Sequence, residues 1–480
     1  MSLNAPTAVS AADHKVPLYN VFTYGALGVP TAAMAVILGV YLPRHYVSLG
    51  VGFIAVSFAI FLVRVIDIAF DPLVALVMDR TKTPIGRYRP WILMGAPLVL
   101  IGLYMLLMPL GGVSSAYLIL WLVVTAAGTS MMTLGLAAWG AVLAKGYNDR
   151  SRVYGWTQAM AVVGSIAILL LPVITHGKIT AGVKASMPTI GLILIVAIPI
   201  ALAITMLLTP ERVVEVPQRP KFKPSDYWLA LKRPSMARLI LADLALTLGP
   251  GTTGPLYVYY FHDAKGFSVA AVGLLLISYI GAGIFGAVFW GRLAARFGKH
   301  RTVQIACVAY SITQATLMAL PRVLPGYKFA DTIPTIIGMF AVGFCASAFL
   351  LLVRAMIADV ADEVRLEQKQ DLTSLLFSMV TTTSKIGGSI TVAIVFPILA
   401  FVHYNGAEGA VNTPSAIFGL EMCYLFAPII LVWFGGAMFF GYRLDAKRHA
   451  EIRDALAQID VAAAEEALLG EQLEPAPAAE

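Results

Sequence analysis

Three ionisable residues fall within eight positions of an otherwise apolar stretch: Arg64, Asp67 and Asp71, with Pro72 directly after them. Asp67 and Asp71 are four residues apart, so on a helix they share one face; Arg64, three residues before Asp67, lies on nearly the same face. A carboxylate in hydrocarbon is expensive and persists when it is paired, protonated or bound to a cation. Two carboxylates one turn apart repel unless positive charge sits between or beside them. A proton, a sodium ion or Arg64 meets that need. Pro72 has no N–H, so it frees a carbonyl one turn back, which either joins a cation site or marks a kink. The same residues also allow a static Arg–Asp network that locks the helix. Lys385 stands in another apolar run beside Thr381, Thr382, Thr383 and Ser384. A lysine at that depth should face a cavity or a carboxylate.

Only long apolar helices can hold such groups at depth, and the composition provides them. Of 480 residues, 59% are apolar and 13% charged, about half the ~25% charge of a globular protein. This excludes an ordinary soluble enzyme and points to a bilayer protein. A helix crosses the hydrocarbon with about 20 residues. Apolar runs lie near 18–42, 50–78, 91–110, 115–144, 152–174 and 186–208, then near 237–261, 268–291, 302–320, 333–357, 372–402 and 416–442. They are continuous rather than alternating, which argues against a β-barrel. The expected fold is an all-α membrane protein of twelve transmembrane helices in two six-helix halves. Its parts are an N-terminal segment 1–17, a bundle 18–208, a linker 209–235, a second bundle 236–442 and a tail 443–480. The linker is rich in Pro and Lys/Arg, and Tyr227–Ser235 reads as a short interfacial helix. The tail reads as an amphipathic helix followed by a disordered end.

The formal charge of +7 does not suggest nucleic acid, because the basic residues sit in short loops between the runs. With the N-terminus in the cytoplasm, 25 of the 34 Lys and Arg fall in cytoplasmic segments, 6 on the other side and 3 inside spans. That asymmetry places both termini in the cytoplasm. Met1–Lys15 lacks the features of a secretory signal. Cys307, Cys345 and Cys423 fall within spans and read as packing residues, with no disulfide framework and no CxxC metal pair. There is no GxSxG elbow, HExxH, Walker loop or His/Cys cluster, so no enzyme, no metal and no cofactor beyond a coupling ion are expected. The expected partners are membrane lipids and a small-molecule substrate, with no nucleic acid and the chain acting as a monomer.

Two loops repeat a pattern. One reads Asp79-Arg80-Thr-Lys-Thr-Pro-Ile-Gly86-Arg87-Tyr-Arg-Pro90 and the other Gly291-Arg-Leu-Ala-Ala-Arg296-Phe-Gly298-Lys-His-Arg301. Each follows the second span of its half and joins a glycine turn to a basic cluster. Arg and Lys there can cap helix C-termini and stay on the cytoplasmic side. These loops resemble the signature loop of the major facilitator superfamily, in which two halves rock around a central site. Arg64–Pro72 followed by Asp79–Trp91 resembles, more specifically, the glycoside–pentoside–hexuronide:cation symporters, a family that includes sodium-coupled lysolipid symporters. The similarity continues at Asp149-Arg150-Ser-Arg152, at Leu376-Phe-Ser378 and at Lys385-Ile-Gly-Gly388. It implies that Asp67 and Asp71 bind the coupling cation, that Arg64 tunes the site or contacts substrate, and that Lys385 stands near both. It also implies a bacterial inner membrane protein.

Weaker candidates surround these. Trp139 aligns with an aromatic that stacks on sugar in the family, though a tryptophan in a span serves equally in packing. Gln158 is a candidate cavity hydrogen-bonder, and Asp243 stands isolated in an apolar stretch as a candidate cavity residue. Arg354 either snorkels or pairs with Asp359. Gly249–Pro255 reads as a broken or flexible helix, and Tyr257, Tyr259 and Tyr260 either line the helix or, the favoured reading, form an interfacial belt. The acids that hold sugar hydroxyls in the family's melibiose-carrying members are replaced by Pro30 and Gly135, and an arginine by Gln158. Fewer oxygen ligands favour a proton over sodium. The sequence thus leads to cation (H+ or Na+)-coupled symport of a small polar solute, such as a glycoside or uronide, by alternating access. The alternatives are an amphipathic cargo such as a lysolipid, or a non-transporting membrane sensor.

Overall fold

The computed structural model describes residues 16–459 except 82, 110, 144–146, 175–182, 211–231, 325, 327, 369–372, 408, 443 and 445–446. The expected N-terminal segment up to residue 15, most of the linker and the tail end 460–480 therefore lie outside the described residues. The elements, in chain order, are α1 Leu18–Gly25, α2 Gly28–Val36, a π-helical turn Ile37–Tyr41, α3 Leu42–Ser48, α4 Phe53–Arg80, α5 Arg89–Leu107, α6 Ser115–Leu143, α7 Tyr147–Ile174 and α8 Val183–Leu208. There follow α9 Pro234–Val258, a π-helical turn Tyr259–Ala264, α10 Val269–Phe297, α11 Lys299–Ala319, α12 Ile333–Gln368, α13 Thr373–Phe401 and α14 Pro414–Ala437. Residues 447–459 form a further helix.

Among the described residues, ten helical segments are long and apolar enough to cross a membrane, the first running Leu18–Ser48. Helices α9 and α13, where spans seven and eleven were expected, stand outside that count. In α13 the described residues Ile386–Phe401 form a shorter apolar stretch, and α9 carries Arg238 and Asp243. Large apolar side chains lie on the surface, Leu207 at 81% and Phe285 at 63% exposure. Such a surface suits lipid, where a helix can bond its backbone polar groups internally.

Contacts divide the chain into two compact units: Met1–His45 with Val65–Gln218, and Tyr46–Arg64 with Arg219–Glu480. In the first unit, α5 and α6 pack at backbone distance. A Cβ at Gly95 would stand 2.6 Å from the Gly128 carbonyl oxygen, and one at Gly128 2.6 Å from that of Gly95. Hydrocarbon gives helices no hydrophobic drive to associate, so this close van der Waals contact is what holds them. In the second unit, Ser278 on α10 donates to Ile336 O (2.9 Å) and Trp290 Nε1 to Phe344 O (2.8 Å), tying α10 to α12. The early part of α4 belongs here as well: Ser57 donates to Val392 O at 3.1 Å, and the Phe53 ring meets Phe396 edge-on at 5.1 Å.

Several elements differ from the sequence expectation. Helix α9 runs unbroken through Gly249–Pro255. Thr252 and Thr253 donate to the carbonyls of Gly249 and Pro250, and Gly249 lets α9 approach the α14 backbone at Pro428. The cluster thus serves packing rather than a break. Tyr257, Tyr259 and Tyr260 form no exposed belt but are buried. The wider π-helical turn carries Tyr259 and Tyr260 inward, where Tyr260 stacks on Tyr424 at 3.9 Å. Lys265 closes this turn, donating from Nζ to Met318 O and Leu320 O at 2.9 Å each and facing Glu421 at 3.5 Å. It caps the C-terminus of α11, where the helix dipole favours a cation.

Candidate ion and substrate sites

Helix α4 positions the acidic pair. It runs unbroken through Pro72, whose missing N–H leaves the Ile68 carbonyl without its usual helical donor. Asp67 is buried, Asp71 half-buried and Arg64 exposed. The Asp67 Oδ1 accepts a hydrogen bond from Ser130 Oγ on α6 at 2.7 Å. Charge-assisted bonds of this length are about twice as strong as neutral ones. Ser130 was not singled out by the sequence. Thr125, Thr129 and Thr133 on the same helix each donate to the carbonyl four residues back. Ser130 is off that row and reaches across to Asp67 instead. One serine among the hydroxyl residues of this helix gave no signal.

The other candidates are distributed. Lys385 lies on α13, but its side chain, with those of Thr381 and Ser384, lies outside the described residues. Trp139 is fully buried. The Arg89 guanidinium covers its ring at 5.1 Å, Tyr24 meets it edge-on at 6.1 Å, and its Nε1 donates to Pro210 O at 3.4 Å. Gln158 is exposed on α7 near Tyr154 and Trp156. Gly135, at the aligned position of a family acid, faces α5: a Cβ there would stand 2.9 Å from Ile92 Cγ1. Asp243 is buried on α9 and lines a cavity of its own.

The two basic loops are shorter than the sequence suggests. Asp79 and Arg80 end α4, and the Asp79 side chain lies outside the described residues. A tight turn follows, in which Gly86 N donates to Thr83 O at 3.1 Å with Gly86 at φ +120°. Trp91 Nε1 donates to Thr81 Oγ1 at 3.0 Å and closes the loop onto α5; Arg87 is half-buried within it. In the second loop, Gly291 and Arg296 are helical, because α10 continues to Phe297. Arg-Leu-Ala-Ala-Arg contains no helix breaker, so the reversal waits for Gly298, at φ +84°. Beyond it, Lys299 Nζ binds both oxygens of Asp359, at 2.6 and 2.7 Å. Asp359 is thus taken by Lys299 rather than by Arg354. His449 from the C-terminal helix adds contacts to Asp362 at 3.0 Å and Asp359 at 3.4 Å.

Known proteins show the same architecture. The Escherichia coli K12 protein YagG, named provisionally as a glycoside/cation symporter, is 26% identical over 77% of this chain and 79% of its own length. Sodium-dependent lysophosphatidylcholine symporter 1 of Mus musculus is 21% identical over 92% of this chain and 88% of its own. The crystal structure of the nucleoside transporter NupG superposes with a TM-score of 0.62 at 13% identity, covering 88% of this chain and 97% of NupG, a likeness of fold. The family model described as MFS/sugar transport protein matches residues 23–446. With nearly its whole helical body matched, the chain belongs to the MFS/sugar transport protein family: it is a multi-pass membrane transporter and not an enzyme.

Proposed function

We propose that the chain is a secondary active symporter that couples H+ or Na+ to the entry of a small polar solute, such as a glycoside or uronide, by alternating access. In this reading α9 and α13 join the ten apolar segments as spans, which makes twelve with both termini in the cytoplasm. The chain works as a monomer in a bacterial inner membrane. Asp67 and Asp71 bind the ion, and Arg64 and Lys385 link ion and substrate occupancy. The observation that carries the proposal is the buried Asp67 carboxyl held by Ser130, with a second carboxyl one turn further on. Such a group in an apolar helix is retained for ion or proton binding more readily than for packing. The glycoside name of YagG supports the solute class. A panel of glycosides and uronides offered to proteoliposomes under imposed H+ and Na+ gradients tests this. One gradient should drive accumulation of a panel member; no driven accumulation of any of them would refute it.

A second reading keeps the ion site and changes the cargo to a lysolipid. It is favoured by the uncharged Pro30 and Gly135 and by the similarity to the lysophosphatidylcholine symporter. Thermal-shift measurements with sugars and with lysolipids separate the two, since stabilisation by sugars alone eliminates the lipid reading.

A further inference from the structure

A cavity of about 380 Å3 lies at the end of the apolar helix α14, wholly within the second unit. Pro234, Ser235 and Arg238 on the first turns of α9, Glu363 on α12, and Tyr442 and Leu444 just after α14 line it. Its charged groups are of both signs. Arg238 is exposed and donates from Nη1 to Phe440 O at 3.4 Å and Gly441 O at 3.2 Å, bonds that use one nitrogen of its five-donor fork. No side chain caps the start of α9 at Pro234, so the positive end of its dipole opens on the same cavity. Glu363 accepts from Ser235 Oγ at 2.9 Å on Oε2, which leaves Oε1 for a further donor. Tyr442 is 7% exposed, and its hydroxyl has no hydrogen-bond partner. Burial pushes that hydroxyl up, the Glu363 and Asp359 carboxylates add to the rise and Arg238 opposes it. The group therefore stays a donor and feels the charges that line the cavity. A buried polar group left unbonded is costly, so a polar atom entering here gains a bond that the chain alone does not make. One turn along α9 from Arg238, Leu241 is 44% exposed, and Phe440 is 70% exposed, which gives the charged cavity an apolar flank.

We propose that this cavity binds the headgroup of a phospholipid that carries both a phosphate and a primary ammonium, as phosphatidylethanolamine does. The phosphate meets Arg238 and the N-terminus of α9, with the Tyr442 hydroxyl as a further donor, and the ammonium meets Glu363. The acyl chains cover Leu241 and Phe440. A purely anionic headgroup would face the Glu363 carboxylate unpaired, and a free zwitterion would leave the apolar flank bare. This assignment stands whichever ion and solute the chain carries.

Calorimetric titration of the full-length protein in a neutral detergent tests it, with dihexanoyl phosphatidylethanolamine as probe. Dihexanoyl phosphatidylglycerol keeps the phosphate and chains but lacks the ammonium, and phosphoethanolamine keeps both charges but lacks the chains. The probe should bind about tenfold more tightly than either, and Glu363→Gln should abolish its preference over phosphatidylglycerol. No binding of the probe, equal binding of phosphatidylglycerol, or a preference that survives Glu363→Gln overturns the proposal. Phosphoethanolamine binding as tightly as the probe overturns the lipid as its source. Should Glu363→Gln fail to fold, Arg238→Gln at an exposed position carries the test. It should weaken the probe by about tenfold, and unchanged affinity overturns the proposal.

Discussion

At the scale of single residues, the pairing of Asp67 with Ser130 is the most informative contact in the first unit. A hydrogen bond to a charged group is worth about 1.5–3 kcal/mol, and about 1.4 kcal/mol is tenfold in an equilibrium constant. Ser130→Ala should therefore shift the ion concentration for half-maximal uptake by about tenfold or more, while Ser130→Thr, which keeps the hydroxyl, should shift it much less. Ion-titrated uptake measures both, and an unshifted Ser130→Ala would remove Ser130 from the site. Asp67 was legible in the sequence because a charge inside an apolar run stands out by itself. Ser130 was not, because one hydroxyl among several on a helix announces no direction until the neighbouring helix is in place. Trp139 marks the same limit. Sequence left stacking on sugar and packing both open, and the folded chain surrounds the ring with Arg89 and Tyr24.

At the scale of elements, the long apolar runs were readable because hydropathy alone sets where a helix crosses lipid. Their ends and interiors were harder. Gly291 and Arg296 looked like loop because they are charged or flexible, yet nothing before Gly298 stops α10. The Gly298 backbone, at φ +84° and ψ 150°, lies where a side chain is strained. Gly298→Val should cost of order 1–3 kcal/mol, read as a lowered unfolding temperature in detergent, whereas Gly291→Ala in the helix interior should be neutral or mildly stabilising. The C-terminal helix 447–459 buries Ile452 and Leu456 and ties His449 to α12. Ile452→Asp places a carboxylate in that buried contact and should free the helix, seen as faster limited proteolysis within 447–459 with the rest of the chain intact. Cleavage at the wild-type rate would show that the apolar contact does not hold it. Amphipathic spacing revealed this helix, but its anchor on Asp359 and Asp362 joins residues some ninety positions apart and needed the fold.

At the scale of the whole molecule, scarcity of charge organises the account. Only 13% of residues are charged, and most of the basic ones sit in the loops predicted to face the cytoplasm. On the proposed reading, the few ionisable groups left inside the helices are where an ion gradient would act, and Asp67 is the buried one of the acidic pair on α4. The family and the helical architecture followed from that pattern and from the basic loops. The cargo did not, because recognition of a solute depends on the directions of single side chains, which a linear sequence does not carry. The most direct test compares wild type with Asp67→Asn in proteoliposomes, using a solute that the wild type accumulates. Each protein is assayed for uptake driven by an imposed H+ or Na+ gradient and for solute exchange at equilibrium without a gradient. Asp67→Asn should lose gradient-driven accumulation while retaining solute exchange. Full accumulation by Asp67→Asn under the same gradient would contradict the assignment of Asp67 as the ion-binding carboxyl.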